Sequence, residues 1–204
     1  MAKITDILPQ IKDKTRVNVY LDGKFYCGMD LVTVLSNRLK AGMEISEEEL
    51  GEMQRLSEEE RALSKAMHYL TGSMKTEKEV ADYLAKKGYT PTLVAAVIER
   101  LVDYAFLNDA EYAKEYAESY AAKKGARLIA LELRQKGISQ QDISAALTDF
   151  SEEEGATSTL KKYLRGKEVT RETLQKAYRY LLSKGFSGET VASALKRYGV
   201  EEDE

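Results

Sequence analysis

The sequence has few of the residues on which cross-linking and catalysis depend, with one cysteine, one histidine and two prolines in 204 residues. With Cys27 alone, the chain cannot close an internal disulfide or supply a thiolate metal cluster. His68 stands beside Met67 and Tyr69 in a helical pattern, which favours a packing or surface role over a catalytic one. No glycine-rich phosphate loop, dinucleotide fingerprint or zinc-ligand spacing is present. We therefore expect no catalytic, cofactor-binding or metal-binding residues, and no enzyme.

Long hydrophobic runs are also absent. No segment approaches the roughly 18 consecutive apolar residues that span a bilayer. The first ten residues lack the basic region, apolar core and cleavage site of a signal peptide. We expect a cytoplasmic protein without a membrane segment.

Charge is abundant and unevenly distributed. Hydrophobic residues make up 43% of the chain and charged residues 32%, which is typical of helices with charged outer faces. Residues 44–60 hold eight acidic residues against Arg55. This segment could mimic the charge of DNA, but we favour its interpretation as solvated surface. Residues 110–199 hold sixteen Lys and Arg against twelve acidic residues. A dedicated DNA-binding protein usually has a larger basic excess, so this balance does not predict tight autonomous DNA binding.

An internal repeat dominates the chain. The pattern of Leu84-Ala-Lys-Lys-Gly88 recurs as Leu133-Arg-Gln-Lys-Gly137 and as Leu181-Leu-Ser-Lys-Gly185, so the glycines are 49 and 48 residues apart. A glycine here predicts a helix end in the left-handed conformation. The hydroxyl residue two positions later predicts the N-cap of the next helix. Apolar residues at helical spacing on both sides predict one buried stripe per helix.

Each repeat has room for one more helix before this pair, at about 57–71, 109–123 and 151–165. Ser-Glu-Glu-Glu segments that begin at Ser46, Ser57 and Ser151 predict capping boxes. Near the N-terminus, the alternating segment 15–20, the turn Asp22-Gly23 and the segment 25–27 predict a β-hairpin, followed by a helix through Lys40.

The predicted fold is mainly all-α: three tandem three-helix repeats in an elongated curved array, preceded by a small N-terminal β-hairpin plus helix. The predicted boundaries are 1–56 for the N-terminal hairpin and helical cap, 57–108, 109–150 and 151–199 for the three repeats, and 200–204 for an acidic tail.

Candidate functional residues lie on the surface of the second and third repeats. Tyr112, Tyr116 and Tyr120 follow one helix face, where both core packing and partner contact are open interpretations. Each basic residue taken alone fits a solvated face, but together they predict a basic surface for an acidic protein groove or for phosphates. The predicted contact residues are Lys123, Lys124, Arg127, Arg134, Lys136, Lys161, Lys162, Tyr163, Arg165 and Lys167.

The segment from Lys124 to Ser139 resembles the central signature of the RecX family, bacterial regulators of the RecA recombinase. Residues 105–109 and the following Tyr112-Ala113 are similar to the segment before that signature, and residues 69–84 resemble the family's first repeat. The resemblance covers about residues 62–199. Three features depart from the pattern: Ala105 replaces a usual glycine, Ala126 stands at a position that is often aromatic, and the basic cluster of the first repeat is reduced to Lys75.

The resemblance implies a protein that binds RecA and its filament on DNA, and that inhibits ATP hydrolysis and strand exchange or promotes filament disassembly. It would modulate recombination and DNA repair as a monomer, with at most weak direct DNA contact and no cofactor. Two other classes stay open. One is an autonomous DNA-binding protein with tandem helix-turn-helix-like units, and the other is a helical-repeat scaffold for an unrelated partner.

Overall fold

The computed structural model describes residues 1–199, so the acidic tail predicted at 200–204 lies outside the described residues. The described part is mainly helical, as predicted, with four strands and ten helices. The strands are β1 (Ala2–Pro9), β2 (Arg16–Leu21), β3 (Lys24–Asp30) and β4 (Glu44–Ile45). The helices are α1 (Leu31–Ser36), α2 (Glu47–Leu70), α3 (Glu77–Lys86), α4 (Pro91–Asp103), α5 (Asp109–Tyr120), α6 (Ala126–Gln135), α7 (Gln140–Ala146), α8 (Glu153–Leu164), α9 (Arg171–Ser183) and α10 (Gly188–Gly199).

The N-terminal region is a four-stranded antiparallel sheet in the order β3-β2-β1-β4. The predicted hairpin is confirmed as β2 and β3, with Asp22 and Gly23 both at positive φ in the turn. The sequence analysis missed β1 and β4. A register shift between Ile4 and Asp6 interrupts the alternation of β1, and β4 has only two residues, so neither shows the periodicity of a strand.

Helix α1 is shorter than predicted, because it ends at Ser36 and not at Lys40. Arg38 takes the left-handed conformation, with φ of 54°, and the N–H of Leu39 donates to the carbonyl oxygen of Val34 at 2.9 Å. This turn carries Leu39 into the core of the sheet. Burial of one leucine therefore ends the helix where the local pattern would continue it.

Helix α2 starts ten residues before the predicted position. Ser46 and Glu49 form the predicted capping box at its first turn. The capping box predicted at Ser57 is wrong, since Ser57 lies buried inside α2. Its hydroxyl accepts the N–H of Asp30 at 2.9 Å, so it satisfies the end of β3 and caps no helix.

The acidic segment 44–60 is not simply solvated, which corrects the interpretation from sequence. Glu58 lies 2.5 Å from Arg16 of β2, and Glu59 lies 2.9 Å from Arg100 of α4. These ion pairs attach α2 to its neighbours. Local sequence does not show them because the partners are more than 40 residues away in each case.

The turn between the second and third helices of each repeat is built as predicted. The turn glycines Gly88, Gly137 and Gly185 have φ values of 90°, 90° and 87°. The hydroxyl groups of the residues that follow accept a backbone N–H in the first turn of the next helix. The bonded pairs are Thr90 with Leu93, Ser139 with Asp142, and Ser187 with Thr190.

By internal contacts the chain divides into two compact units. The first comprises Met1–Gly72 and Tyr83–Asp103, and the second comprises Ser73–Asp82 and the chain from Tyr104 onward. The second unit contains the second and third repeats, each with its own buried cluster. The core residues of the two repeats include Ala113, Ala117, Ile129, Leu133 and Ile143 in the second, and Ala156, Leu160, Leu181, Phe186 and Val191 in the third.

The capping box predicted at Ser151 is also wrong. Helix α8 begins at Glu153, and Glu152 occupies the N-cap position without a side-chain cap bond. The Glu152 carboxylate instead accepts the N–H of Ala126 at 2.7 Å and the N–H of Ser187 at 2.8 Å. One side chain thus satisfies the starts of two other helical segments, which joins the second repeat to the third.

Candidate partner-binding surface

The tyrosines of α5 line one side of a surface groove of 650 Å³ in the second unit. The ring centroids of Tyr112 and Tyr116 are 6.1 Å apart, and those of Tyr116 and Tyr120 are 4.6 Å apart. All three rings are half-buried, so they pack on the core of the repeat and keep an exposed edge. The interpretation as core packing is therefore partly confirmed, and partner contact through the exposed edges stays a prediction.

Lys124 lies on these rings but is already ion-paired. Its Nζ is 3.8 Å from the ring centroid of Tyr120 and 2.7 Å from the carboxylate of Glu132. Burial opposes its charge, but hydrogen bonds to Glu132 and Tyr116 outweigh burial and raise the pKa of Lys124. A partner that binds this ammonium group must compete with Glu132.

Lys136 is engaged in the same way at the other end of α6. Its Nζ is 2.7 Å from the carboxylate of Glu79 and 5.4 Å from the ring centroid of Tyr112. Its backbone oxygen accepts the hydroxyl of Thr76 at 2.8 Å. Burial opposes the charge, but hydrogen bonds to Glu79 and Tyr112 raise the pKa of Lys136. Lys136 therefore ties the first turn of α3 to the end of α6.

Three other predicted residues of the second repeat are available to solvent. Lys123, Arg127 and Arg134 are exposed, and none of them forms an ion pair with a carboxylate within residues 1–199. Arg134 Nε donates to the side-chain oxygen of Gln140 at 3.0 Å. The second repeat thus contains both free and neutralised cations, a distinction that composition does not show.

In the third repeat a lysine lies on a tyrosine ring and forms no ion pair with a carboxylate of residues 1–199. Lys167 Nζ is 3.4 Å from the ring centroid of Tyr163, which stacks on Tyr180 at 4.8 Å and 27°. Lys184 lies over the other ring, 5.3 Å from the centroid of Tyr180. Lys167 and Tyr163 are among the contacts predicted from sequence, and the structure places Lys184 and Tyr180, which were not predicted, in the same cluster. A lysine precedes the turn glycine in every repeat, and this regularity was the signal for Lys184.

The first repeat contains an equivalent cluster within the first unit. Tyr69 and Tyr83 stack at 4.2 Å and 5°, and Lys87 lies 5.4 Å from the centroid of Tyr83. Tyr69, Tyr120 and Tyr163 each follow a buried residue of the first helix by three positions. In the second repeat Glu132 takes the place of the second tyrosine. This explains why Lys124 is ion-paired there, whereas Lys167 has no ion pair within the described part of the chain.

The remaining predicted residues lie on α8 and just after it. Lys161, Lys162 and Arg165 are exposed, and none of them forms an ion pair with a described residue. Lys161 and Lys162 line a shallow groove of 650 Å³ with Arg197 of α10 and the acidic start of α8. Lys161 and Lys162 thus line a different part of the surface from Lys167, which lies on Tyr163.

The single cysteine is buried and the single histidine is exposed. Cys27 is buried in the sheet core, and burial raises its pKa to about 11, so its thiol is protonated at neutral pH. His68 is exposed near the end of α2. Across residues 1–199 no three His, Cys, Asp or Glu side chains group as metal ligands do. None of the described helices is long and apolar enough to cross a membrane.

Sequence models of the RecX family match nearly the whole chain. The RecX N-terminal domain matches residues 2–46, and the first, second and third three-helix domains of RecX match residues 62–101, 108–147 and 151–195. The regulatory protein RecX of Bacillus subtilis (strain 168) is 35% identical over 100% of this chain and 80% of its own length. That of Listeria welshimeri is 31% identical over 94% of this chain and 74% of its own length.

Solved structures agree with these matches. A crystal structure of regulatory protein RecX superimposes with a TM-score of 0.71 and 30% identity, covering 96% of this chain and all of the other. RecX from Lactobacillus salivarius has a TM-score of 0.64 and 25% identity over 70% of this chain and 97% of its own. By sequence over its whole length and by fold, the chain belongs to the RecX family of regulatory proteins.

Proposed function

We propose that this protein regulates the RecA recombinase by binding RecA and its filament on DNA and by inhibiting ATP hydrolysis and strand exchange. It would act as a cytoplasmic, non-enzymatic monomer that modulates recombination and DNA repair. Membership of the RecX family supports the partner, since the family is one of RecA regulators. The observation that supports the binding surface is the set of cations in the second and third repeats that have no carboxylate partner among residues 1–199.

Under this proposal, the contact surface consists of lysine and arginine side chains beside tyrosine rings. The cations of this surface include the exposed Lys123, Arg127, Arg134 and Lys167 and the half-buried Lys184. Half-buried tyrosines of the second and third repeats supply apolar rings with polar tips. Lys124 and Lys136 shape the surface more than they contact the partner, because Glu132 and Glu79 already neutralise them. The predicted residues Lys161, Lys162 and Arg165 would extend the surface along α8.

The first experiment measures the ATPase rate of RecA on single-stranded DNA with increasing amounts of this protein. The affinity of the protein for the same DNA without RecA is measured in parallel. Inhibition at concentrations too low to coat the DNA supports direct regulation of the filament. Inhibition only after the DNA is saturated would favour the autonomous DNA-binding alternative, with a steep salt dependence. Without any inhibition, the scaffold alternative would replace both.

Charge reversal then tests the surface. The triple variant R127E/K167E/K184E should lose inhibition, because each change removes a cation without breaking an ion pair of the described chain. The matched control K12E/K24E/K40E changes the net charge equally, at exposed lysines of the N-terminal region. The assignment fails if the first variant inhibits as well as the wild type, or if the control loses inhibition to the same extent.

A further inference from the structure

Two sides of helix α5 differ in charge and in residue type. Tyr112, Tyr116 and Tyr120 occupy one side, where the lysines described above cluster. At about 100° per residue, Glu118 lies roughly 160° around the helix from Tyr116. Glu111 falls on the same side as Glu118. The side away from the tyrosines is therefore acidic, and the function proposed above makes no use of it.

This second side forms the wall of a separate groove of 470 Å³, bounded by α5, α7 and the segment that leads to α8. Its floor consists of small or apolar side chains, among them Ala117, Ala121, Ala146 and Phe150. Four acidic residues and one basic residue make up most of the charge at its edge: Glu111, Glu118, Asp142, Asp149 and Lys114. The groove lies wholly within the second unit.

The shape and charge of the groove select one class of ligand. A floor of alanines lets a helix approach closely, and an apolar stripe on that helix would cover Phe150. Carboxylates on both walls complement Lys or Arg side chains that flank such a stripe. A bound metal ion is not the explanation, since within residues 1–199 no three acidic, His or Cys side chains converge as a metal site requires.

We propose that the groove between α5 and α7 docks a basic amphipathic helix of a partner protein. The ligand is opposite in charge to one that would bind the lysine-bearing side of α5, so the two grooves would serve different contacts. The docked helix places its apolar residues over Ala146 and Phe150. Its cations lie beside Glu118 and Asp149, which are exposed and form no ion pair with any residue in 1–199.

The test measures binding of a fluorescein-labelled helical peptide of repeated Lys-Leu-Ala-Lys-Leu-Ala-Lys units to the full chain, by fluorescence anisotropy. A peptide with every Lys replaced by Glu is the ligand control. E118K should weaken binding by about tenfold, because it opposes the ligand's charge at the groove wall. The matched variant E115K makes the same change on the same helix, but at a residue that lines the tyrosine groove, and it should bind nearly as the wild type does.

A second variant separates a shaped groove from general attraction between charges. A145W fills the groove at an exposed position without changing charge, and it should also weaken binding. Circular dichroism and thermal melting confirm that each variant folds, and E118K should keep its effect on the RecA ATPase, which tests a different surface.

Three outcomes would overturn the proposal. Equal weakening by E115K and E118K, or undiminished binding by A145W, would mean non-specific charge attraction. A wild type that self-associates in sedimentation, with the association abolished by E118K, would make the occupant a second copy of this chain.

Discussion

Gly125 donates its backbone N–H to the carbonyl oxygen of Lys184 at 2.9 Å, and this bond joins the start of α6 to the end of α9. A second bond lies two residues further on, where the N–H of Arg127 donates to the carbonyl oxygen of Gly185 at 3.3 Å. Two loops from different repeats thereby meet backbone to backbone. Arg127 and Lys184, which are 57 residues apart, come to lie at the same junction.

This close approach predicts a strong effect of a single methyl group. A Cβ at position 125 would lie 2.3 Å from the oxygen of Gly185, which is backbone and cannot move aside freely. We expect Gly125→Ala to destabilise the protein by about 2–3 kcal/mol, as overpacking of a tight contact does. Chemical denaturation measures the free energy of unfolding. Gly72→Ala is the control, since its Cβ would meet nothing within 4 Å, and an equal loss there would contradict the explanation.

The Glu152 carboxylate predicts a second stability effect at the same junction. Glu152→Ala leaves the N–H groups of Ala126 and Ser187 without their acceptor, and a charged hydrogen bond of this kind contributes about 1.5–3 kcal/mol. Thermal melting should show a clear loss for Glu152→Ala and a smaller one for Glu152→Gln, which keeps one acceptor oxygen. Glu154→Ala, exposed two residues later, should melt with the wild type. If it does not, general charge effects and not the bridge explain the loss.

Ala105 predicts a stabilising substitution. Its φ of 57° is a left-handed conformation that costs a residue with a Cβ about 1 kcal/mol. Ala105→Gly should raise the free energy of unfolding by up to about 1 kcal/mol, with part of the gain offset by greater freedom of the unfolded chain. Ala130→Gly, inside α6, should destabilise instead. A loss of stability in Ala105→Gly would refute the strain.

Asp13 predicts a feature of acid unfolding. Hydrogen bonds from Thr15 and then from Arg61 lower the pKa of Asp13 from 3.8 to about 2. Because the folded-state pKa is the lower one, the contribution of Asp13 to stability is complete above about pH 4 and is lost as pH falls toward 2. Asp13→Asn should therefore flatten the melting temperature between pH 4 and 2. An unchanged slope would show that other carboxylates govern acid unfolding.

The ion pair of Lys136 and Glu79 predicts a measurable coupling. Both side chains are about 70% shielded from solvent, with the two charged atoms 2.7 Å apart. A double-mutant cycle with Lys136→Met and Glu79→Gln should give a coupling of about 1 kcal/mol, more than exposed pairs usually give. The exposed pair Lys78–Asp82 is the comparison, and its cycle should give less than half as much. Equal couplings would argue against a structural role for Lys136.

Much of the helical architecture followed from local patterns. The glycine that ends the second helix of each repeat and the hydroxyl residue that caps the third are short-range signals. Each acts within one turn of helix. The buried stripes followed from periodicity in the same way. Signals failed where the partner is distant: Ser57 has the local context of a cap, but its partner is Asp30, 27 residues earlier. The exact boundaries between repeats stay a prediction.

The candidate surface was likewise predictable from sequence only in part. The sequence by itself determined the repeats, the family and the set of cations, since these depend on residue identity and spacing. Only the tertiary structure decided which cations are neutralised, because Lys124 meets Glu132 and Lys136 meets Glu79 through folding alone. It also decided that Lys167 and Lys184 share one pair of stacked tyrosines, and that α5 separates a cationic groove from an acidic one. Charge is a property of the residue, but its availability depends on what folding places within a few ångströms of it.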